Sequence, residues 1–113
     1  METQIECQTC TIRSINDELR TTGKGGQIFI TTGIRFRGEA FIMAVNKALK
    51  TFNDFTPEND PYGDHDFGRM EVEGVPILWK IDYYDTELKY GSDNPADPSV
   101  SSRVLTMMLA NEY

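Results

Sequence analysis

Apolar positions along this chain alternate between two periods, and the change of period marks its elements. From Thr9 to Thr22, Ile12, Ile15 and Leu19 recur at helical spacing, while Asn16, Asp17, Glu18 and Arg20 occupy the opposite stripe, which predicts a first helix. Gly23, Gly25 and Gly26 end it. Gln27 to Thr32 is short, β-branched and aromatic and predicts a buried strand. Gly38 to Phe52 returns to the helical period, with Phe41, Val45, Ala48, Leu49 and Phe52 on one face, a stripe that core packing explains.

Phe67 to Tyr84 predicts a hairpin about a Glu73-Gly74 turn, where glycine supplies the positive φ. In that register Val72 faces Val75, Met70 faces Ile77 and Gly68 faces Trp79. The side chain missing at Gly68 leaves room for the indole. Ile81 and Tyr83 extend the apolar face, whereas Lys80, Asp82 and Tyr84 point away. Asp97-Pro98 then reads as an N-cap followed by proline at the first helical position, with Val100, Val104, Leu105, Met108 and Leu109 as the buried stripe of a last helix reaching Tyr113. The expected fold is a single α+β domain over residues 1–113, frayed over 1–8. Its expected order is α-β-α-β-β-α, with a small, mainly antiparallel three-stranded sheet.

Between these elements lie two acidic loops. Asn53 to Asp66 reads N-D-F-T-P-E-N-D-P-Y-G-D-H-D; Pro57, Pro61 and Gly63 forbid a regular element. It places Asp54, Glu58, Asp60, Asp64 and Asp66 beside the sole histidine, His65. Asn and Asp side chains bonding their own backbone, with Phe55, Tyr62 and Phe67 pinning the loop to the core, is one reading. An acidic docking surface is a second. The third is a divalent-metal or catalytic site on Asp60, Asp64, His65 and Asp66, although the spacing fails the EF-hand pattern. Asp85 to Asp97 is the second loop.

Net charge is −7, and it is unevenly distributed. Residues 53–97 hold twelve acids against three bases, and residues 1–52 five acids against seven bases. Direct binding of nucleic acid is therefore not expected, since phosphates demand clustered Lys and Arg. A protein partner with a basic surface is expected, docking on Asp54, Glu58, Asp60, Asp64, Asp66, Asp82, Asp85, Glu87 and Asp93. Arg35, Arg37, Lys47 and Lys50 form a modest basic patch, read as a solvated surface or as an internal answer to the acidic loop.

Cys7 and Cys10 form a lone C-x-x-C without the further ligands zinc requires, and read as two reduced thiols. Lys24 precedes Gly25, the wrong order for a phosphate loop. No cofactor is expected, and no apolar run approaches the ~20 residues that span a bilayer. With no leader visible, a cytoplasmic protein is the default.

The blocks Phe52 to Gly68, Trp79 to Asp85 and Tyr90 to Tyr113, together with Ile12 to Arg20 and the glycine-led strand, carry a resemblance to a bacterial family known as domain of unknown function thirty-seven sixty-eight. Departures fall in the first eight or so residues and in Arg35 to Glu39. The family brings no assigned reaction or functional residues. The resemblance implies a small cytosolic protein of proteobacteria, including ones on plasmids and phage-like elements. With the focused negative charge, this suggests a non-enzymatic inhibitor of a basic, nucleic-acid-handling partner, of the anti-CRISPR or anti-restriction type. The alternative is a metal-dependent hydrolase using the Asp60/Asp64/His65/Asp66 loop, with His65 as ligand or general base.

Overall fold

A computed structural model describes residues 8–113. Helix α1 spans Gln8–Thr22, strand β1 Gly26–Ile30, a single helical turn α2 Thr32–Arg35 and helix α3 Glu39–Thr51. Strands β2 (Phe67–Val72), β3 (Val75–Tyr84) and β4 (Ser102–Leu109) follow, and a 3-10 turn, Ala110–Glu112, closes the chain. The α+β class is as expected, but the sheet has four strands in the order β1-β4-β3-β2. It is mixed, because β4 runs parallel to β1 and antiparallel to β3.

The predicted last helix is therefore a strand, and the reason lies in what surrounds it. Arg103, Leu105 and Met107 are buried at alternate positions on one face. Val104, Leu105, Met108 and Leu109 fit a helix as readily as they fit this alternation, so periodicity alone does not decide. Backbone pairing decides, because β1 and β3 each present an open edge and β4 satisfies both. The capping signal is locally real: the Asp97 carboxylate accepts the Ser99 backbone N–H at 3.0 Å, and Val100 N–H donates to the Asp97 carbonyl. The turn does not propagate past Val100.

The β2–β3 hairpin has the predicted register, Val72↔Val75, Met70↔Ile77 and Gly68↔Trp79. Trp79 is fully buried, and a Cβ at Gly68 would lie 2.3 Å from its Nε1, so the glycine is a packing requirement. Glu73 and Gly74 both take positive φ, 53° and 81°, as a two-residue hairpin turn demands.

The core forms where α1 and α3 lie on the face carrying Ile77, Trp79, Ile81, Leu105 and Met107. Phe41, Val45 and Leu49 of α3 are buried as predicted. Helix α1 is rotated from its predicted orientation. Leu19 is buried, but so are Asn16 and Arg20, at 0% and 5% exposure, both assigned above to the solvent stripe. Arg20 Nη1 donates to the carbonyls of Leu49 and Phe52 at 3.1 and 2.9 Å, satisfying acceptors that the end of α3 leaves open. Its Nη2 meets Asp17 at 3.1 Å. A cation from α1 thus caps the end of α3.

Candidate acidic binding face

Topology sets where the acidic loops emerge. β2 enters the sheet beside the end of β3, since Phe67 pairs with Lys80 and Ile81 N–H donates to the Asp66 carbonyl. β4 enters opposite Tyr84. The loop before β2 and the loop after β3 consequently leave the same end of the sheet.

The first loop is built by its own polar groups. Asn59 Oδ1 accepts the Thr56 N–H at 2.8 Å, and Asp60 Oδ1 accepts the His65 N–H at 3.1 Å. His65 holds a positive φ of 57°, uncommon for a side-chain-bearing residue. Both of its ring nitrogens face carboxylates, Nδ1 at 2.9 Å from Asp17 and Nε2 at 3.5 Å from Asp60. The ring stacks on Phe55 at 3.6 Å between centroids. Phe55 in turn meets Phe52 and Trp79 edge-on. Phe55 therefore pins the loop to the core; Tyr62, 80% exposed, does not. Arg13 Nε donates to the Gly63 carbonyl at 2.8 Å, so an α1 arginine answers this loop. Arg35, Arg37, Lys47 and Lys50 make no ion pair with it among the described residues.

Beneath the loop runs a polar chain absent from the sequence reading. Buried Arg103 donates from Nε to Asn16 Oδ1 at 2.6 Å. Asn16 Nδ2 donates to the Tyr83 hydroxyl at 2.8 Å and to the Asp64 carbonyl at 3.0 Å, and Tyr83 donates to Asp66 Oδ2 at 3.0 Å. A guanidinium and a carboxylate are thereby linked through two neutral groups. Burial holds Arg103 below the usual guanidinium range and lifts the Tyr83 phenol well above its own. Burial raises the Asp66 carboxyl, the Tyr83 hydrogen bond pulls it back, and Asp60 and Asp82 push it up again. Asp64 is likewise raised, by burial first and then by Asp66 and Asp60, with Arg13 opposing. These acids sense one another, as members of a single anionic cluster should.

Of the nine acids assigned to partner binding, Asp54, Glu58, Glu87 and Asp93 are exposed. The other five are partly buried and engaged internally. Asp60 holds His65, Asp66 holds Tyr83, and Asp82 pairs with Lys80 at 2.5 Å on the outer face of the sheet. Asp64 presents its carbonyl to Asn16, and Asp85 accepts the N–H groups of Glu87 and Lys89. The carboxylates of Asp60, Asp66 and Asp85 brace the two loops, and Asp54, Glu58, Glu87 and Asp93 face solvent.

Among the described residues no three His, Cys, Asp or Glu side chains form a group that could hold a metal ion. Cys7 lies outside the described residues, and Cys10 is exposed. No described helix is long and apolar enough to cross a membrane.

Asp66 offers a test with a defined sign. Its raised pKa means that the folded state holds the proton to higher pH than the unfolded chain, so stability falls as pH rises from about 3.8 through the folded value. Asp66→Asn, whose amide oxygen still accepts the Tyr83 proton, removes that cost. The variant should melt above the parent at about pH 7 and lose its advantage at about pH 3, where both states are protonated. Thermal unfolding followed at the two pH values checks this; a difference independent of pH would refute it.

A family model for proteins of unknown function, DUF3768, matches residues 30–112. The chain belongs to the DUF3768 family. The match takes in both acidic loops, the hairpin and β4. Residues 12–20 and the start of the glycine-led strand, which also carried the resemblance, lie before it. No curated protein and no solved structure matches the chain.

Proposed function

We propose that this DUF3768 protein is a non-enzymatic binding protein whose acidic end docks on a basic protein. The observation that carries the reading is the shared exit of both acidic loops from one end of the sheet, with Asp54, Glu58, Glu87 and Asp93 exposed there. Exposed carboxylates mounted on a hydrogen-bonded base keep their spacing without a partner, which lowers the ordering cost of binding. Such a surface steers basic partners and offers phosphate-binding proteins an anionic substitute for their usual ligand. Within this reading, inhibition of a nucleic-acid-handling protein, of the anti-CRISPR or anti-restriction type, is the favoured role. A cytoplasmic setting belongs to the same proposal.

The test is capture from host lysate on the immobilised protein. The bound partner should be basic, should elute as salt rises toward about 1 M, where screening shortens to about 3 Å, and should be displaced by DNA or RNA. A partner retained at that salt, or indifferent to nucleic acid, would contradict the proposal.

A further inference from the structure

A separate site is formed on the helix side of β1. A cavity of about 490 Å³ lies between α1, β1, α2 and α3, within the size range of small-molecule sites. Ile28, Ile42 and Met107 give it apolar walls. Its charged lining is entirely cationic, Arg20, Arg35 and Lys50, with no acid among the residues that line it. Arg35 and Lys50 form no ion pair with any described residue. Arg20 is 5% exposed and spends its terminal nitrogens on α3 carbonyls and Asp17, while its Nε is buried without a partner. In a protein of net charge −7, two cations without an ion pair among the described residues, Arg35 and Lys50, beside an apolar hollow that the Asp17-paired Arg20 also lines describe the complement of an amphipathic anion.

We propose that this cavity binds a small organic anion, its carboxylate or phosphate head held by Arg35 and Lys50 and its apolar body lying against Ile28 and Ile42. Guanidinium and ammonium supply charge-assisted hydrogen bonds to the head, while the isoleucines exclude water from the body. The head explains the cations and the body explains the walls. The cavity shares no residue with the acidic face, so the two proposals fail independently.

The test is calorimetric titration of the full chain with three probes: octanoate, inorganic phosphate as a head without a body, and octyltrimethylammonium as a body of opposite charge. Octanoate should bind saturably at one site and the other two at least tenfold more weakly. Arg35→Gln with Lys50→Gln, both at exposed positions, should weaken octanoate at least tenfold while leaving the melting temperature of the unliganded protein within a few degrees. Ile42→Trp, which crowds the hollow and leaves both cations in place, should also weaken octanoate at least tenfold. Absence of saturable octanoate binding, equal binding of the ammonium or of phosphate, or unchanged affinity in the double variant would overturn the proposal.

Discussion

Trp79→Ala should cost about 3–5 kcal/mol, a large share of the 5–15 kcal/mol that ordinarily holds a domain together. Trp79 is completely buried, meets Phe52 and Phe55 edge-on at 5.5 and 6.3 Å between centroids, and has Arg20 6.0 Å from its ring. Its loss would propagate along one physical path. Phe55 rests on Trp79, His65 stacks on Phe55, and Asp60 and Asp17 flank His65. The acidic loop is thus held to the sheet through aromatic contacts that begin at the indole. Urea unfolding gives the energy. Hydrogen exchange should show residues 53–66 losing protection even where the variant remains folded, whereas equal loosening everywhere would deny the special link between indole and loop.

Asn16→Leu should cost about 3 kcal/mol despite conserving size. Asn16 is wholly buried and bonds Arg103, Tyr83 and the Asp64 carbonyl at once. Leucine would remove the acceptor of Arg103 Nε and the donor to the Tyr83 oxygen, leaving the guanidinium only its Pro95 carbonyl and the phenol only Asp66. The sharper measurement is a double-mutant cycle with Arg103→Met. Once the charge is gone, leucine at residue 16 should be far less harmful, so the pair should be less destabilised than the sum of the singles. Strict additivity would mean that the network contributes no coupling.

Both residues bear on what the sequence discloses. Trp79 was legible because the Glu73-Gly74 turn fixes a register and the register places Gly68 beneath the indole, a local inference that needs no distant partner. The helical stripe of α3 was legible for the same reason. Asn16 and Arg103 were not. A polar residue among charged neighbours on a helix reads as solvent-facing unless the sequence reveals what it meets. Asn16 meets Arg103, 87 positions away, in a segment that itself reads as a helix. Once β4 is a strand between β1 and β3, Arg103 pairs across from Tyr83 and the polar chain follows. One misassigned element concealed both the fourth strand and the network beneath the loop.

The acidic loops were legible as composition, and their division of labour was not. Asp60 and Asp66 look no different in sequence from Asp54 and Asp93, yet one pair builds the loop base and the other stands in solvent. The distinction depends on how the loop turns His65 and on Tyr83 and Asp17, which only the fold brings near.

The central claim is that location, more than total charge, makes the acidic end a binding face. The decisive measurement compares two variants of identical net charge. In one, Glu58→Gln, Glu87→Gln and Asp93→Asn neutralise the exposed acids at the loop end. In the other, Glu39→Gln, Glu71→Gln and Glu73→Gln neutralise exposed acids on α3 and the hairpin. With the captured basic partner titrated at about 0.15 M salt, the loop-end variant should bind at least tenfold more weakly, about 1.4 kcal/mol, and the control within about twofold of the parent. Equal weakening of the two would contradict the account.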